Sequence, residues 1–285
     1  MTLLAQTLRL CVIQHHPLET PGYVLNWVQA RGMQVQLLHA WEFNEAAKWD
    51  EFDALIVLGG PYSVSDTSNL PWLAQELSWL KSCVAAKMPI FGICLGAQLL
   101  AHCLGAEVQP MTTPDLCPAA ELGWVKIIMC DELAASAALA ARPVSQASVA
   151  LAARPVSQAS AVLASAVRPV LQWHEESFQI PLGAKRLAHS VLGNCNQGFK
   201  AAERRLMGVQ FHPEWSAATF ATLIDGLADA ETAAVLRAAL GQTALFDMQE
   251  ALCAALLDFW IQPKAKPPLR PINSGHLSQP QKPNP

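Results

Sequence analysis

The feature that most constrains this sequence is the stretch Pro89–Gly105, which reads PIFGICLGAQLLAHCLG. Its short apolar start after a proline predicts a buried strand, and the residues from Leu95 onward have the apolar spacing of a helix. Between the two lies Cys94, in a turn flanked by Gly92 and Gly96. This strand, turn and helix form the pattern of a nucleophile elbow, with cysteine as the nucleophile. Most free cysteines are small buried hydrophobes, but the elbow and the positive end of the helix favour a reactive thiolate.

Predicted strands and helices alternate through the first half of the chain. This alternation indicates an α/β fold with a mostly parallel central sheet and helices on both faces. Strands are expected at 8–14, 35–38 and 54–58, and helices at 21–30 and 70–87. The carboxyl ends of such strands meet at one edge of the sheet, where Cys94 is also expected.

The third predicted strand runs directly into Gly59-Gly60-Pro61. A Gly-Pro pair is common in ordinary turns. Glycine also lets a backbone N–H approach a ligand closely, so at this edge the segment is better interpreted as an oxyanion donor. We expect a backbone N–H of this segment and that of Leu95, at the helix start, to form an oxyanion hole.

A second candidate group lies at Met207–Trp215, MGVQFHPEW. His212 and Glu214 are two residues apart on extended chain, so their side chains point to the same side. Pro213 restricts His212 to an extended conformation. An isolated His-x-Glu is usually a surface pair, but beside a cysteine elbow it predicts a triad in which Glu214 orients the general base His212.

Composition excludes several classes of protein. The 285 residues carry a net charge of −4, so nucleic acid is not expected as a partner. No apolar run is long enough to span a membrane, and the N-terminus does not resemble a signal peptide. The eight cysteines form no CxxC pairs, which favours reduced thiols in a cytoplasmic protein over disulfides or structural zinc.

The segment LAARPVSQAS occurs twice, at 139–148 and 151–160, with a looser echo at 166–170. Two copies of a 12-residue period cannot stack into a core, so we expect an Ala-rich surface insert at about 134–169. Strands are expected again at 107–110, 124–129, 170–178, 186–191, 198–201 and 207–211, and helices at 217–228, 231–241 and 248–260. The predicted organisation is a domain at 1–228, a helical extension at 229–262 and a disordered Pro-rich tail at 263–285.

Three motifs, GICLGAQ, the glycine pair before Pro61 and QFHPE, occur in the order found in class I glutamine amidotransferases, which the region from Leu8 to Leu227 resembles. The motifs ELGW, WHEESF and NQGF are similar to stand-alone relatives of the amidotransferase domain of GMP synthase. The resemblance implies a flavodoxin-like fold and attack by Cys94 on the side-chain amide of glutamine. It also implies that His212 moves the proton and that Gly60 and Leu95 supply the oxyanion N–H groups. It further implies that a thioester forms and that no cofactor or metal takes part.

The resemblance also suggests substrate-binding residues. Gln98 occupies the family position that helps to hold glutamine, although a polar residue on a helix needs no such role. His174 matches a substrate-side segment, and a polar residue on a strand surface is a nearly equal interpretation. Tyr62 follows Gly59-Gly60-Pro61, at a position where many synthase-linked members have glycine, so the rim of the pocket is expected to differ.

Three functions are consistent with these residues. The first is a glutaminase that makes ammonia for a synthase on another chain, since no P-loop is present here. The second is a hydrolase of γ-glutamyl peptides with the same Cys-His-Glu triad. The third is a non-catalytic binding module that keeps the fold, against which the intact triad argues.

Overall fold

A computed structural model describes residues 8–42, 51–112, 119–140, 166–191, 195–201 and 205–261. The strands are β1 Arg9–Gln14, β2 Gln34–His39, β3 Ala54–Val57, β4 Ile90–Ile93, β5 Val108–Pro110, β6 Glu121–Met129, β7 Val167–His174, β8 Glu176–Phe178, β9 Lys185–Ser190, β10 Asn196–Ala201 and β11 Leu206–Val209. The α-helices are α1 Tyr23–Ala30, α2 Pro71–Ala85, α3 Leu95–Cys103, α4 Asp131–Ala140, α5 Ala217–Asp225, α6 Ala230–Leu240 and α7 Thr243–Ile261. The strands and helices predicted from the sequence are present, with bounds that differ by a few residues.

The large sheet has the strand order β2-β1-β3-β4-β11-β10-β9-β6-β7. The strands from β2 to β11 pair in parallel, and those from β11 to β7 pair antiparallel. The expected α/β fold is therefore confirmed, with a mixed sheet whose parallel half contains the elbow. β4 and β11 are neighbours, which brings the ends of the two candidate motifs together.

Helices cover both faces of the parallel half, as the burial of β1 illustrates. Leu10 and Val12 belong to the apolar cluster that includes residues of α1 and α7, whereas Cys11 and Ile13 belong to the cluster that includes α2 and α3. This period of two is expected for a strand buried on both faces.

The C-terminal helices are part of this packing. Leu256 of α7 is fully buried in the first cluster, and the indole N–H of Trp260 donates to the carbonyl of Arg205 at 3.2 Å. In α6, Leu236 is buried against Phe220 of α5 in a third cluster. The segment predicted as an extension is helical, and its last helix lies in the same core as the sheet. The division into domains stays a prediction.

The repeat is described only at its margins. α4 includes the first residues of the first copy, and residues 141–165, with the rest of both copies, lie outside the described residues. The echo at 166–170 is not part of a surface excursion, because β7 begins at Val167 and buries Val170 completely. Pro169 fits there since β7 is the last strand of the sheet, where a missing N–H is tolerated. The predicted tail also lies outside the described residues.

No helix in the described ranges has the length and apolar character needed to cross a membrane. Every cysteine in those ranges carries a free thiol.

Candidate active site

Cys94 lies between β4 and α3. Its backbone angles, φ 50° and ψ −111°, are ones that residues with a Cβ atom rarely adopt. The sharp turn depends on close backbone packing around it. A Cβ atom at Gly96 would lie 2.1 Å from the carbonyl oxygen of Val57 in β3, and one at Gly92 would lie 2.5 Å from that of Gly96. Only glycine fits at these two positions, which is the physical basis of the G-x-C-x-G pattern. The fold thus holds Cys94 in a strained turn at the edge of the sheet.

His212 and Glu214 follow β11 and are both 1% exposed. The imidazole Nδ1 lies 2.8 Å from the Glu214 carboxylate, and the Cys94 thiol lies close enough to the same ring to interact with it electrostatically. The indole of Trp215 stacks on the ring at 3.5 Å between centroids. The backbone N–H of His212 donates to the carbonyl of Leu171 in β7 at 2.9 Å, which holds the segment after β11 in place. The extended chain expected here is not observed, because β11 ends at Val209 and residues 213–214 form a turn. The structure therefore brings the three predicted triad residues into one buried cluster, in which His212 is hydrogen-bonded to Glu214.

The electrostatics of His212 favour its charged form. Burial alone lowers the pKa of an imidazole, but the negative charges of Glu214 and Cys94, with their hydrogen bonds, raise the pKa of His212 to about 10. A protonated imidazole beside a cysteine is an arrangement that can supply a proton during nucleophilic catalysis.

The predicted oxyanion donors lie beside the thiol. A Cβ atom at Gly59 would lie 3.4 Å from Cβ of Cys94 and 2.7 Å from Cε1 of His212, so this glycine is in direct contact with both. The end of β3 is held to the elbow by the Gly96 N–H, which donates to Leu58 at 3.1 Å. Within the described parts of the chain, the N–H groups of Gly60 and Leu95 have no backbone acceptor. Both remain available to a ligand oxygen, and their catalytic role stays a prediction.

The three predicted substrate-binding residues have different surroundings. Gln98 is buried and donates to Gln210 and to the carbonyl of Glu176, at 3.3 Å each, while the Gln210 amide contacts the Cys94 sulfur at 3.5 Å. His174 is buried rather than on a strand surface, and Tyr62 packs edge-on against Trp72 at 5.1 Å between centroids. The geometry thus connects Gln98 to the nucleophile through one side chain.

One cluster beside Gln98 could hold a metal ion. Glu121, His174 and Cys195 place one ligand atom each within 4.8 Å of one another. The same atoms also bond within the protein: His174 Nε2 lies 3.1 Å from the Glu121 carboxylate, which accepts from Gln197 as well. Burial raises the pKa of the Cys195 thiol to about 12, so binding a metal would require an unfavourable deprotonation. The expectation that the site uses no metal or cofactor stays a prediction.

Sequence reasoning missed a second polar group behind Gly59-Gly60-Pro61, the oxyanion segment. His15, the first residue after β1, and Glu76 of α2 are both fully buried and bonded to each other at 3.0 Å. Glu19, in the following loop, has a carboxylate oxygen buried without a hydrogen-bond partner among the described residues. Burial raises the pKa of Glu19 to about 7, partly offset by nearby His212. The available signal was the position of His15 at the carboxyl end of a central strand, where ligand sites of parallel sheets occur.

Comparison with known proteins agrees with this geometry. The model of the family Glutamine amidotransferase class-I matches residues 23–225. The chain is 34% identical over 106 residues to the glutamine amidotransferase-like protein YfeJ of Salmonella typhimurium, an alignment that covers 35% of this chain and 44%, less than half, of that protein. It is 28% identical over 196 residues to one subunit of the glutamine-hydrolysing GMP synthase of Saccharolobus solfataricus, with 67% of this chain and 81% of that protein covered.

Among solved structures, the fold is similar to a glutamine amidotransferase of Thermotoga maritima. The TM-score is 0.69 at 21% identity, over 90% of this chain and 100% of that chain. The family match spans more than half of the chain and contains the elbow, the oxyanion segment and the His-x-Glu pair. This protein therefore belongs to the class I glutamine amidotransferase family.

Proposed function

We propose that this protein hydrolyses the side-chain amide of glutamine to glutamate and ammonia, with Cys94, His212 and Glu214 as its catalytic triad. The observation that carries the proposal is the Cys94 elbow beside a buried imidazole that is itself hydrogen-bonded to Glu214. Free cysteines without such partners are usually inert. Cytoplasmic localisation stays a prediction from the sequence.

In the proposed reaction, the Cys94 sulfur attacks the amide carbon, and the carbonyl oxygen becomes an oxyanion that accepts from the N–H groups of Gly60 and Leu95. His212, as imidazolium, gives its proton to the leaving nitrogen, so that ammonia departs and a γ-glutamyl thioester remains. His212 then takes a proton from water as the water attacks the thioester. Glutamate leaves, and the sulfur regains its starting state. Overall, one glutamine and one water give one glutamate and one ammonia.

We further propose that a synthase on a separate chain consumes the ammonia. The support is the similarity to the GMP synthase subunit from Saccharolobus solfataricus, whose name describes one part of a glutamine-hydrolysing synthase. A γ-glutamyl peptide hydrolase would use the same triad and would differ in its leaving group, which is an amino acid or peptide in place of ammonia.

The first test measures glutamate release from glutamine and from a γ-glutamyl dipeptide, for the parent and for Cys94→Ala. Cys103→Ala is the matched control, because Cys103 ends the same helix, about 13 Å along it. We expect Cys94→Ala to fold and to lose at least about 10³-fold in kcat, while Cys103→Ala keeps parental activity. Cleavage of the dipeptide alone would assign the γ-glutamyl hydrolase, and full activity in Cys94→Ala would exclude the cysteine mechanism.

A further inference from the structure

The oxyanion segment has a buried ion pair on its far side. His15 and Glu76 have fully buried side chains and come from different elements, the end of β1 and the middle of α2. The ring Nε2 of His15 lies 3.1 and 3.0 Å from the two carboxylate oxygens of Glu76. Its Nδ1 lies 3.1 Å from the carbonyl oxygen of Gly59. The imidazole therefore bridges a helix and the oxyanion segment.

Both partners of His15 are hydrogen-bond acceptors when Glu76 is ionised. Two acceptors require two N–H donors on the ring, which only the imidazolium supplies. Burial works against this charge, but the charge and hydrogen bonds of Glu76 outweigh it, and the pKa of His15 lies above its ordinary value. The charges of His15 and Glu76 thus compensate each other. The remaining hydrogen bond of the His15 ring goes to the carbonyl of Gly59.

That bond fixes the direction of the next N–H. The peptide unit between Gly59 and Gly60 is planar and trans, so the Gly59 carbonyl and the Gly60 N–H point in opposite directions. A Cβ atom at Gly60 would lie 2.6 Å from the Cβ of His15, so His15 packs against Gly60. Gly59 instead faces Cys94 and His212. A carbonyl held by His15 therefore leaves the Gly60 N–H turned away from His15 and free for a ligand.

This peptide needs such a restraint. It joins two glycines, which adopt positive and negative φ with similar ease. Rotation of the whole peptide unit therefore meets little steric resistance. A rotated unit would present a carbonyl oxygen, instead of an N–H, to the developing negative charge. Pro61 restricts the backbone of Gly60, the residue before it, but not that of Gly59.

We propose that His15, held by Glu76, is a positioning residue that keeps the Gly60 N–H directed at the reacting carbonyl before substrate binds. The inference rests on the proposed function for its chemical consequence. It assigns to His15 and Glu76 a role separate from that of the triad. Neither residue touches the reacting atoms in this role.

The test replaces the pair so that no buried charge is left alone. In the double variant His15→Leu/Glu76→Met, apolar side chains of similar volume remove the ion pair and its bond to Gly59, a replacement that folded proteins often tolerate. In the matched variant His15→Asn/Glu76→Gln, an uncharged amide donor remains near the Gly59 carbonyl. Kinetics are measured with the substrate that the parent cleaves, together with the rate at which iodoacetamide alkylates Cys94. Alkylation requires the activated sulfur but no oxyanion hole.

We expect the Leu/Met variant to lose about 10²-fold to 10³-fold in kcat, the effect of removing one oxyanion donor, with KM and the alkylation rate within about threefold of the parent. The Asn/Gln variant should recover at least about tenfold of that loss. A folded Leu/Met variant with parental kcat would refute the inference, as would an alkylation rate that falls in parallel with kcat. If the Leu/Met variant does not fold, the Asn/Gln variant decides: a kcat as low as about 10³-fold below the parent, despite the retained donor, would count against positioning.

The proposed function and this inference fail in different ways. A parent that cleaves neither glutamine nor the dipeptide refutes the function. In that case, crystal structures of the parent and the Leu/Met variant still test the inference through the orientation of the Gly59–Gly60 peptide. A rotated or multiply oriented peptide in the variant would support it, and an unchanged peptide would refute it.

Discussion

Replacement of Cys94 by glycine should relieve a strain that replacement by alanine retains. The backbone at Cys94, φ 50° and ψ −111°, lies outside the regions that are open to residues with a Cβ atom. Such a conformation costs roughly 1–3 kcal/mol, and alanine retains this cost as cysteine does because both carry Cβ. Glycine adopts this conformation without the penalty.

Two effects oppose the gain. Glycine increases the conformational entropy of the unfolded chain, which destabilises by about 0.7 kcal/mol relative to alanine. It also removes one carbon atom from a site that is only 7% exposed, a loss of about 0.8 kcal/mol. With a strain near 2 kcal/mol, Cys94→Gly is expected to be about 0.5 kcal/mol more stable than Cys94→Ala.

The assay is urea unfolding of both variants, with Ala74→Gly as a control for the ordinary effect of glycine. Ala74 is exposed in the interior of α2, where the change to glycine should cost about 1 kcal/mol. We therefore expect glycine to be the more stabilising residue at position 94 and alanine to be the more stabilising residue at position 74. An alanine variant at position 94 that is more stable than the glycine variant by about 1.5 kcal/mol, the sum of the two opposing effects without strain, would refute the idea that the elbow stores strain. Neither variant at position 94 should hydrolyse substrate.

Two further predictions concern stability. The pKa of Glu19 is raised from 4.5 to about 7, mainly by burial, so the folded state binds its proton more tightly and loses stability as the pH rises from 4.5 to about 7. Glu19→Gln should therefore be about 1–3 kcal/mol more stable than the parent at pH 8 and equal to it at pH 4.5, as measured by urea midpoints; the same difference at both pH values would contradict this. Leu256→Ala in α7 should lower the free energy of unfolding by about 2–5 kcal/mol in a single transition, since Leu256 is fully buried in the main core. The control Val235→Ala, at a 47% exposed position of α6, should change it by less than about 0.5 kcal/mol, and an equally small effect at Leu256 would show that α7 does not belong to that core.

Local patterns predicted the elbow because its requirements are local. A strand, a turn and a helix each leave a sequence signature, and the glycines at positions 92 and 96 are needed for contacts within this short segment and with β3. The pairing of His212 with Glu214 was also predicted from their spacing, but the reason was wrong, because the two residues meet across a turn and not on extended chain. The oxyanion segment followed from the rule that parallel strands end at a common edge.

The antiparallel half of the sheet was harder to predict from the sequence. Its strands are short and their pairing is non-local, so neither the order β10-β9-β6-β7 nor the start of β7 at Val167 could be read from periodicity. Pro169 obscured that start, since a proline is acceptable in a strand only at an edge and the edge is a property of the whole sheet.

The sequence by itself determined the fold class and the family, and it predicted the candidate nucleophile with its base, because these depend on neighbouring residues and on motifs in a fixed order. Only the tertiary structure decided that α7 completes the main core and that His15 meets Glu76 behind Gly59. His15 and Glu76 are 61 residues apart in the chain, and no local pattern relates them. Their contact exists because α2 packs against the end of β1, and the burial of two charges there has to be compensated by close pairing that only the folded chain provides.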